Sequence, residues 1–392
     1  MDEIFTGNFT QQEPIPEDAI ARAVEVMRSG RLHRYNTAPG EAGEVALLEQ
    51  DFAAFTGARY CLAVASGGYA LGCALRALDV KPGERVLTNA FTLAPVPGAI
   101  AALGAQPVFV ETTEHLTIDF EDLAAKAPQA RILMLSHMRG HVCDMDRLME
   151  IARAHGLIVI EDCAHTMGAE WAGVPSGRHG AVGCYSTQTY KHMNSGEGGL
   201  IVTDDAELAA KMILLSGSYM MYPRHLAAPG PEAFEALKYD TPNVSGRMDN
   251  LRAAILRPQL PSLPDRVMRW NALYRVMEAG LEDTPGLALI TRPQAEAYVG
   301  SSFQFRLPGR DAKAMCDLVA RCAARGVELK WFGAAEPAGF TSRHDSWRYA
   351  KAQRLPQTDA TLANLLDLRL PLTFSEADVA QIARIIRAEV LA

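Results

Sequence analysis

Leu157-Ile158-Val159-Ile160, running into Glu161-Asp162-Cys163-Ala164-His165, is the stretch that decides how this chain is read. Four consecutive apolar residues predict a short strand covered on both faces, because a half-exposed strand would alternate apolar with polar. Strands of that kind belong to parallel sheets flanked by helices, and such sheets bind ligands at the carboxyl ends of their strands. Glu161 and Asp162 emerge at that end, although an acidic residue after a strand also suits an ordinary turn. Just upstream, Met145, Leu148, Met149 and Ala152 fall on one face of a helix that Gly156 closes.

Working outward, strands are predicted over Arg59–Ala65, Arg85–Asn89, Gln106–Val110 and Arg131–Ser136, with helices from near Gly68 and over Ala94–Leu103. This alternation means an α/β fold with a mostly parallel sheet and right-handed crossovers. After residue 240 the pattern changes. Pro258, Pro261 and Pro264 punctuate a link between helices at Leu251–Leu256 and Asp265–Leu281. A strand at Ser302–Leu307, a helix at Asp311–Arg325 and a strand at Val327–Trp331 follow. Ser375 then caps a last helix whose buried stripe is Val379, Ile382, Ile386 and Val390. The expected organisation is a large α/β domain over residues 1–250, with an N-terminal arm, and a smaller α+β domain over residues 251–392.

Composition narrows the classes. The chain has 392 residues, 48% apolar and 21% charged, which excludes a disordered tail, a collagen-like fibre and a disulfide-dense mini-protein. A formal net charge of −8 argues against a general binder of nucleic acid or anionic membrane. Met1 to Glu13 has no basic segment followed by an apolar one, so no signal peptide is expected, and no apolar run is long enough to span a bilayer. Seven cysteines, an odd number without C-x-x-C, suggest reduced, mostly buried thiols in a cytoplasmic protein. Only eight of the 38 basic residues are lysine, so chemistry that needs an amine has few candidates. One of them, Lys191, follows Ser186-Thr187-Gln188-Thr189-Tyr190 and precedes the glycine-rich Ser195-Gly196-Glu197-Gly198-Gly199. Held between two strand-like segments, it could form a Schiff base or be an exposed loop lysine. His137, His141 and Cys143 could suggest a metal site, but Gly140 and the preceding strand argue against one helical face, and no metal is expected. No G-x-G-x-x-G follows a strand and no G-x-S-x-G occurs, which disfavours dinucleotide oxidoreductases and α/β-hydrolases.

Taken in order, Glu161-Asp162-Cys163-Ala164-His165, Gly168-Ala169, Gly183-Cys184-Tyr185-Ser186, Lys191 and Gly196-Glu197-Gly198-Gly199 closely resemble one family. The chain looks like a member of the DegT/DnrJ/EryC1/StrS family, sugar aminotransferases of the fold type I pyridoxal phosphate (PLP) enzymes. The likeness runs from Ser29-Gly30 to Leu370-Pro371-Leu372.

The resemblance implies a role for each matching residue. Lys191 would hold pyridoxal 5'-phosphate as an internal aldimine and, once an amino donor displaces it, act as the base; pyridoxamine phosphate would form during turnover. Asp162 would pair with the pyridine nitrogen, and His165 would lie beside the ring and its phenolic oxygen. Ser186 and the helix start at Gly67 and Gly68 would cradle the phosphate. Three departures stand out. Gly68 replaces the usual Thr or Ser. Leu93 stands where an aromatic residue usually stacks on the ring, with Phe91 expected in the core. Ser245, with Asn243 two residues earlier, stands for the asparagine that reaches the phosphate of the neighbouring subunit, which would make the enzyme a homodimer with its site at the interface.

The segment bordering the substrate in this family is cationic here, with Arg31, His33 and Arg34, and Arg139 is an unusual residue that could face an anionic group. The implied substrates are a keto sugar, usually nucleotide-linked, and glutamate or glutamine as amino donor. The departures leave open a keto-cyclitol, a free keto sugar, a small keto acid, or a non-catalytic PLP-binding regulator on the same fold.

Overall fold

The strand announced by the apolar run lies in the middle of a seven-stranded sheet. In this computed structural model, which describes residues 3–392, nine strands fall in the first part of the chain. They are β1 (Tyr60–Val64), β2 (Arg85–Asn89), β3 (Gln106–Val110), β4 (Ile132–Ser136), β5 (Ile158–Asp162), β6 (Glu170–Trp171), β7 (Val174–Pro175), β8 (Val182–Ser186) and β9 (Gly199–Thr203). The sheet order is β1-β9-β8-β5-β4-β2-β3. Strands β3, β2, β4, β5 and β8 run parallel to one another, and β9 runs antiparallel to both β8 and β1.

Both faces of the sheet are covered, as an unbroken apolar strand requires. Along β4, Ile132 and Met134 join one core cluster with Val86 and Ile160, while Leu133 and Leu135 join another with Leu87 and Val159. Strand β5 runs two residues beyond the apolar stretch, so Glu161 and Asp162 belong to the strand and do not follow it. The predicted helix Ala94–Leu103 is shorter, Pro95–Ala101, and the strand predicted at Val327–Trp331 shrinks to Lys330–Trp331.

Further along come β10 (Ala288–Leu289), β11 (Glu296–Ala297), β12 (Ser302–Arg306), β13 (Lys330–Trp331) and β14 (Leu365–Arg369). Four of them form an antiparallel sheet in the order β10-β12-β14-β13, whereas β11 pairs with β6. The helix Glu376–Leu391 carries the expected buried stripe, and Ser375 closes a capping box with Asp378.

The cationic N-terminal segment has a different role from the one its composition suggested. Arg34 is buried, with Nη1 and Nη2 each 2.9 Å from the two carboxylate oxygens of Glu49. Glu49 also accepts the backbone N–H of Ala63 in β1 at 2.8 Å and lies 3.0 Å from His225 Nδ1. Burial raises the Glu49 carboxyl, but Arg34 and His225 outweigh it and hold the group at about 2. Arg34 therefore ties the segment to the sheet and is not free to bind a substrate. Arg31 makes an exposed pair with Glu41 at 2.8 Å. His33 is exposed and pushed below its ordinary value, first by partial burial and then by Arg247 and Arg34. Arg34→Ala is expected to lower stability by about 3–5 kcal/mol, because Glu49 would keep a buried charge without its partner. Arg31→Ala is expected to cost about 0–1 kcal/mol. Denaturant titrations followed by circular dichroism check this, and equal effects of the two substitutions would contradict it.

Candidate active site

Strands β4 and β5 end side by side, with Ser136 opposite Asp162 in register. Asp162 Oδ2 accepts the Ser136 hydroxyl at 2.9 Å and Oδ1 accepts the Ala164 N–H at 3.1 Å, which fixes the carboxylate at the wall of a cavity of about 510 Å³. That size is typical of small-molecule sites.

Strand alternation sends the preceding residue the other way. Glu161 is fully buried and accepts the N–H groups of Gly177, His179 and Gly180 at 2.8, 2.8 and 2.7 Å, with His137 Nε2 at 3.1 Å. Burial pushes this carboxyl up, but His137 and the N–H of Gly180 more than offset it and hold it low. His137, Glu161 and Cys163 do bring ligand atoms within 4.8 Å of one another. Both Glu161 oxygens are already engaged, however, and the cluster reads as the anchor of the 177–180 loop. The other residues weighed as metal ligands turn elsewhere: His141 Nε2 meets Gln304 at 2.8 Å, and Cys143 Sγ meets Met145 Sδ at 3.6 Å.

Lys191 reaches the same cavity from the loop between β8 and β9. Thr187 N–H bonds to Gly198 C=O at 2.9 Å and Thr189 N–H to Gly196 C=O at 3.1 Å, so the glycine-rich segment folds back along the lysine's approach. The Lys191 Nζ lies 3.1 Å from His165 Nε2. Burial pulls its amine down to about 7; Asp162 opposes this, and Arg139 and Arg369 add to it. His165 lies well below its ordinary value, first through burial and then through Lys191, so it is neutral at neutral pH.

At the other end of the cavity the helix Gly67–Ala77 begins, with Ser66 as its N-cap: Ser66 Oγ accepts the Tyr69 N–H at 3.1 Å. Two glycines let this helix start sit down on the sheet. A Cβ on Gly199 would fall 2.5 Å from the Ser66 carbonyl oxygen, and one on Gly67 would fall 2.8 Å from Ser186 Cβ. Gly68 is different, since a Cβ there would meet nothing nearer than Pro95 at 3.7 Å. The missing hydroxyl at position 68 is therefore not imposed by crowding. Gly67, Gly68, Ser186 and Leu93 all line the cavity. Phe91 is in the core, edge-on to Phe332 at 5.1 Å, so Leu93 and not Phe91 lines the cavity there.

These groups fit pyridoxal phosphate. A helix start kept clear of side chains beside Ser186 suits a phosphate. A lysine with a depressed pKa suits carbonyl capture, and a fixed carboxylate suits a protonated ring nitrogen.

Ser245 is exposed and outside the cavity of its own chain, with φ +49° and its Oγ 3.1 Å from Asn243 Oδ1. Arg31, His33 and Arg34 are also outside, while Arg139 lines the wall. Residues that sequence reasoning missed include Ser136, which holds Asp162, and Arg369, whose guanidinium lies 3.7 Å from the Tyr190 ring centroid. Arg369 immediately precedes Leu370-Pro371-Leu372, so its place next to a family motif was the available signal.

Known proteins bear on this geometry. The DegT/DnrJ/EryC1/StrS aminotransferase family matches residues 14–387. The chain is 32% identical to a pleiotropic regulatory protein of Geobacillus stearothermophilus, over 77% of each sequence. It is 32% identical, over 86% of each, to the dTDP-3-amino-3,4,6-trideoxy-alpha-D-glucose transaminase of Streptomyces venezuelae. The fold superposes on the crystal structure of DesV from S. venezuelae, in complex with a ketimine intermediate, with a TM-score of 0.80 at 28% identity, covering 95% of this chain and 94% of that one. A match that runs almost from end to end, together with relatives 32% identical over most of their length, shows that this chain belongs to the DegT/DnrJ/EryC1/StrS family of PLP-dependent aminotransferases.

Proposed function

We propose that this enzyme moves an amino group from glutamate or glutamine to a keto sugar, nucleotide-linked as in the dTDP-sugar transaminase named above, with Lys191 as the residue that binds the cofactor and moves the proton. The observation that carries this is the Lys191 amine, held near neutrality inside the cavity with His165 at 3.1 Å and Asp162 raising its pKa against burial. The cofactor would supply an electron sink for the charge left when the donor loses its α-proton. Lys191 Nζ would take that proton from the donor carbon and pass it on across the cofactor, not back, which an amine with a pKa near the working pH does efficiently. Asp162, held by Ser136, would keep the ring nitrogen protonated. His165, pushed well below its ordinary value, would bond to a ring substituent without adding a second charge beside Lys191. Ser186, Gly67 and Gly68 would hold the phosphate, and Leu93 would cover the ring with apolar surface.

A homodimer with Ser245 reaching the neighbouring subunit's phosphate is part of this reading. Its support is a patch of exposed large apolar side chains, Leu32, Tyr219, Met220, Leu226 and Val244, on segments beside Ser245. Arg247, two residues after Ser245, ties its own segment to the Tyr219 segment, bonding to Gly217 C=O at 2.8 Å with its guanidinium 5.8 Å from the Tyr219 ring. Unpartnered patches of this kind mark interaction surfaces. The cytoplasm is the proposed compartment, since no cysteine is paired and only Cys316 is exposed. Among the described residues no helix is long and apolar enough to cross a membrane.

Three outcomes are expected. The purified protein shows the yellow band of lysine-bound cofactor, glutamate or glutamine converts it, and Lys191→Ala abolishes it. A colourless protein that gains no band with added cofactor would sink the enzyme reading, and a band unresponsive to every donor would fit the regulator instead. Second, cofactor capture by the cofactor-free protein should rise with pH and level off above about pH 8, one unit past the lysine's value of about 7. A rate still climbing tenfold per unit at pH 9 would mean an ordinary lysine. Third, sedimentation equilibrium should give twice the chain mass, and Met220→Asp with Leu226→Asp should shift it towards one chain.

A further inference from the structure

His192 directly follows Lys191 and takes no part in the chemistry proposed above. It is buried, and its ring lies edge-on to Trp270 at 5.2 Å. Nε2 is 3.1 Å from Ser301 Oγ, whereas Nδ1 has no hydrogen-bond partner. Ser301 and Trp270 both line the cavity. Burial lowers the imidazole to about 3, with Lys191 and then Arg266 adding to the fall, so the ring is neutral at neutral pH.

A neutral ring carries one N–H, and its place sets the Ser301 hydroxyl. On Nδ1 the proton would be a buried donor without an acceptor. On Nε2 it is donated to Ser301 Oγ, and only a lone pair is left bare. Buried N–H groups without an acceptor are rare, which puts the proton on Nε2. Ser301 Oγ then accepts from His192 and keeps its own hydrogen. Among the described residues this hydroxyl has no other partner, so that hydrogen is free for a ligand in the cavity.

The backbone around Ser301 is fixed. The Gly300 N–H donates to Asn271 Oδ1 at 2.8 Å, and a Cβ on Gly300 would fall 2.6 Å from Tyr274 Cβ. Leu370 joins the two cavity residues: its N–H donates to Ser301 C=O at 3.0 Å, and its C=O accepts Trp270 Nε1 at 3.1 Å. A neutral donor and an aromatic ring are thus held at one part of the wall. Such a pair suits an oxygen on an uncharged ring better than a carboxylate, which bonds most strongly to cations.

We propose that Ser301 is a substrate-binding residue whose hydroxyl, set by His192, donates to a hydroxyl or keto oxygen on the ring of the amino acceptor. This rests on the aminotransferase reading and narrows it: the acceptor is a polyhydroxylated ring gripped at an oxygen, with His192 as a positioning residue.

The test uses the holoenzyme in isothermal titration calorimetry, with dTDP-glucose and myo-inositol as unreactive polyol probes and dTDP as the control without a sugar ring. Binding of at least one polyol probe is expected, weakened about tenfold in Ser301→Ala by the loss of one hydrogen bond. His192→Phe keeps a ring against Trp270 but not the donor, and should weaken the same probe about threefold; His192→Gln, which can still donate, should restore it. Ser301→Ala carries the test alone should the His192 variants fail to fold. No binding of either polyol by the wild type, or equal binding by wild type and Ser301→Ala, overturns the proposal. So does a loss of dTDP affinity as large as that of dTDP-glucose, which would put the contact on the nucleotide. A tenfold weaker response of the cofactor band to glutamate in Ser301→Ala, with polyol binding intact, would give the hydroxyl to the amino donor and also overturn it. A normal band and donor response in the wild type alongside any of these results leaves the aminotransferase reading standing, whereas a wild type with no band counts against that reading itself.

Discussion

Two consecutive carboxylates at the end of β5 must point to opposite faces of the sheet, and the rest of the site depends on that parity. Glu161 takes three backbone N–H groups and His137, which fixes the 177–180 loop beneath the sheet. Asp162 takes only Ser136 and Ala164 and keeps acceptor capacity for the cavity. A register slip of one residue would exchange them. The saturated carboxylate would face the cavity, and the one with spare acceptor capacity would be buried against a loop.

The lysine depends on the same strand. Enclosure alone would push its amine far down, and Asp162 limits the fall, so the value near 7 is a balance between burial and one carboxylate. The crowding arginines tilt that balance further. The helix start at the far end of the cavity has no comparable electrostatic control. Its position comes from close contact, because Gly199 and Gly67 let backbone and Ser186 approach to distances that a side chain would forbid. One end of the cavity is thus set by charge and the other by the absence of side chains.

Much of this was legible because it is local. An unbroken apolar run predicts a doubly covered strand wherever it falls, and the strands at Arg85–Asn89 and Gln106–Val110 match their predicted limits. The ordered residues from Asp162 to Lys191 mark one cavity because β5, β8 and the loop after β8 are neighbours in a parallel sheet. What was not legible depends on partners distant in sequence. Nothing around Arg34 announces that Glu49 and His225 enclose it, so a cationic segment looked like an anion site. Arg369 was overlooked for the converse reason, since its companion Arg139 lies in another part of the chain.

The two cationic clusters differ in one respect that decides their roles. Around Arg34 the charges close, with both guanidinium nitrogens on both carboxylate oxygens and His225 Nδ1 3.0 Å from Glu49 completing the set. Around Arg139 they close less fully, because Asp367 Oδ2 lies 3.0 Å from Arg139 Nη2 and 3.9 Å from Lys330 Nζ without a well-aligned hydrogen bond, and Arg139 Nε has no partner. A closed cluster of this type serves the fold, and breaking it strands a charge. The left-handed backbone at Arg139 adds strain at the same point. The two clusters thus differ in how fully each cation is answered: Arg34 by both oxygens of Glu49, and Arg139 by one oxygen of an Asp367 that Lys330 also approaches.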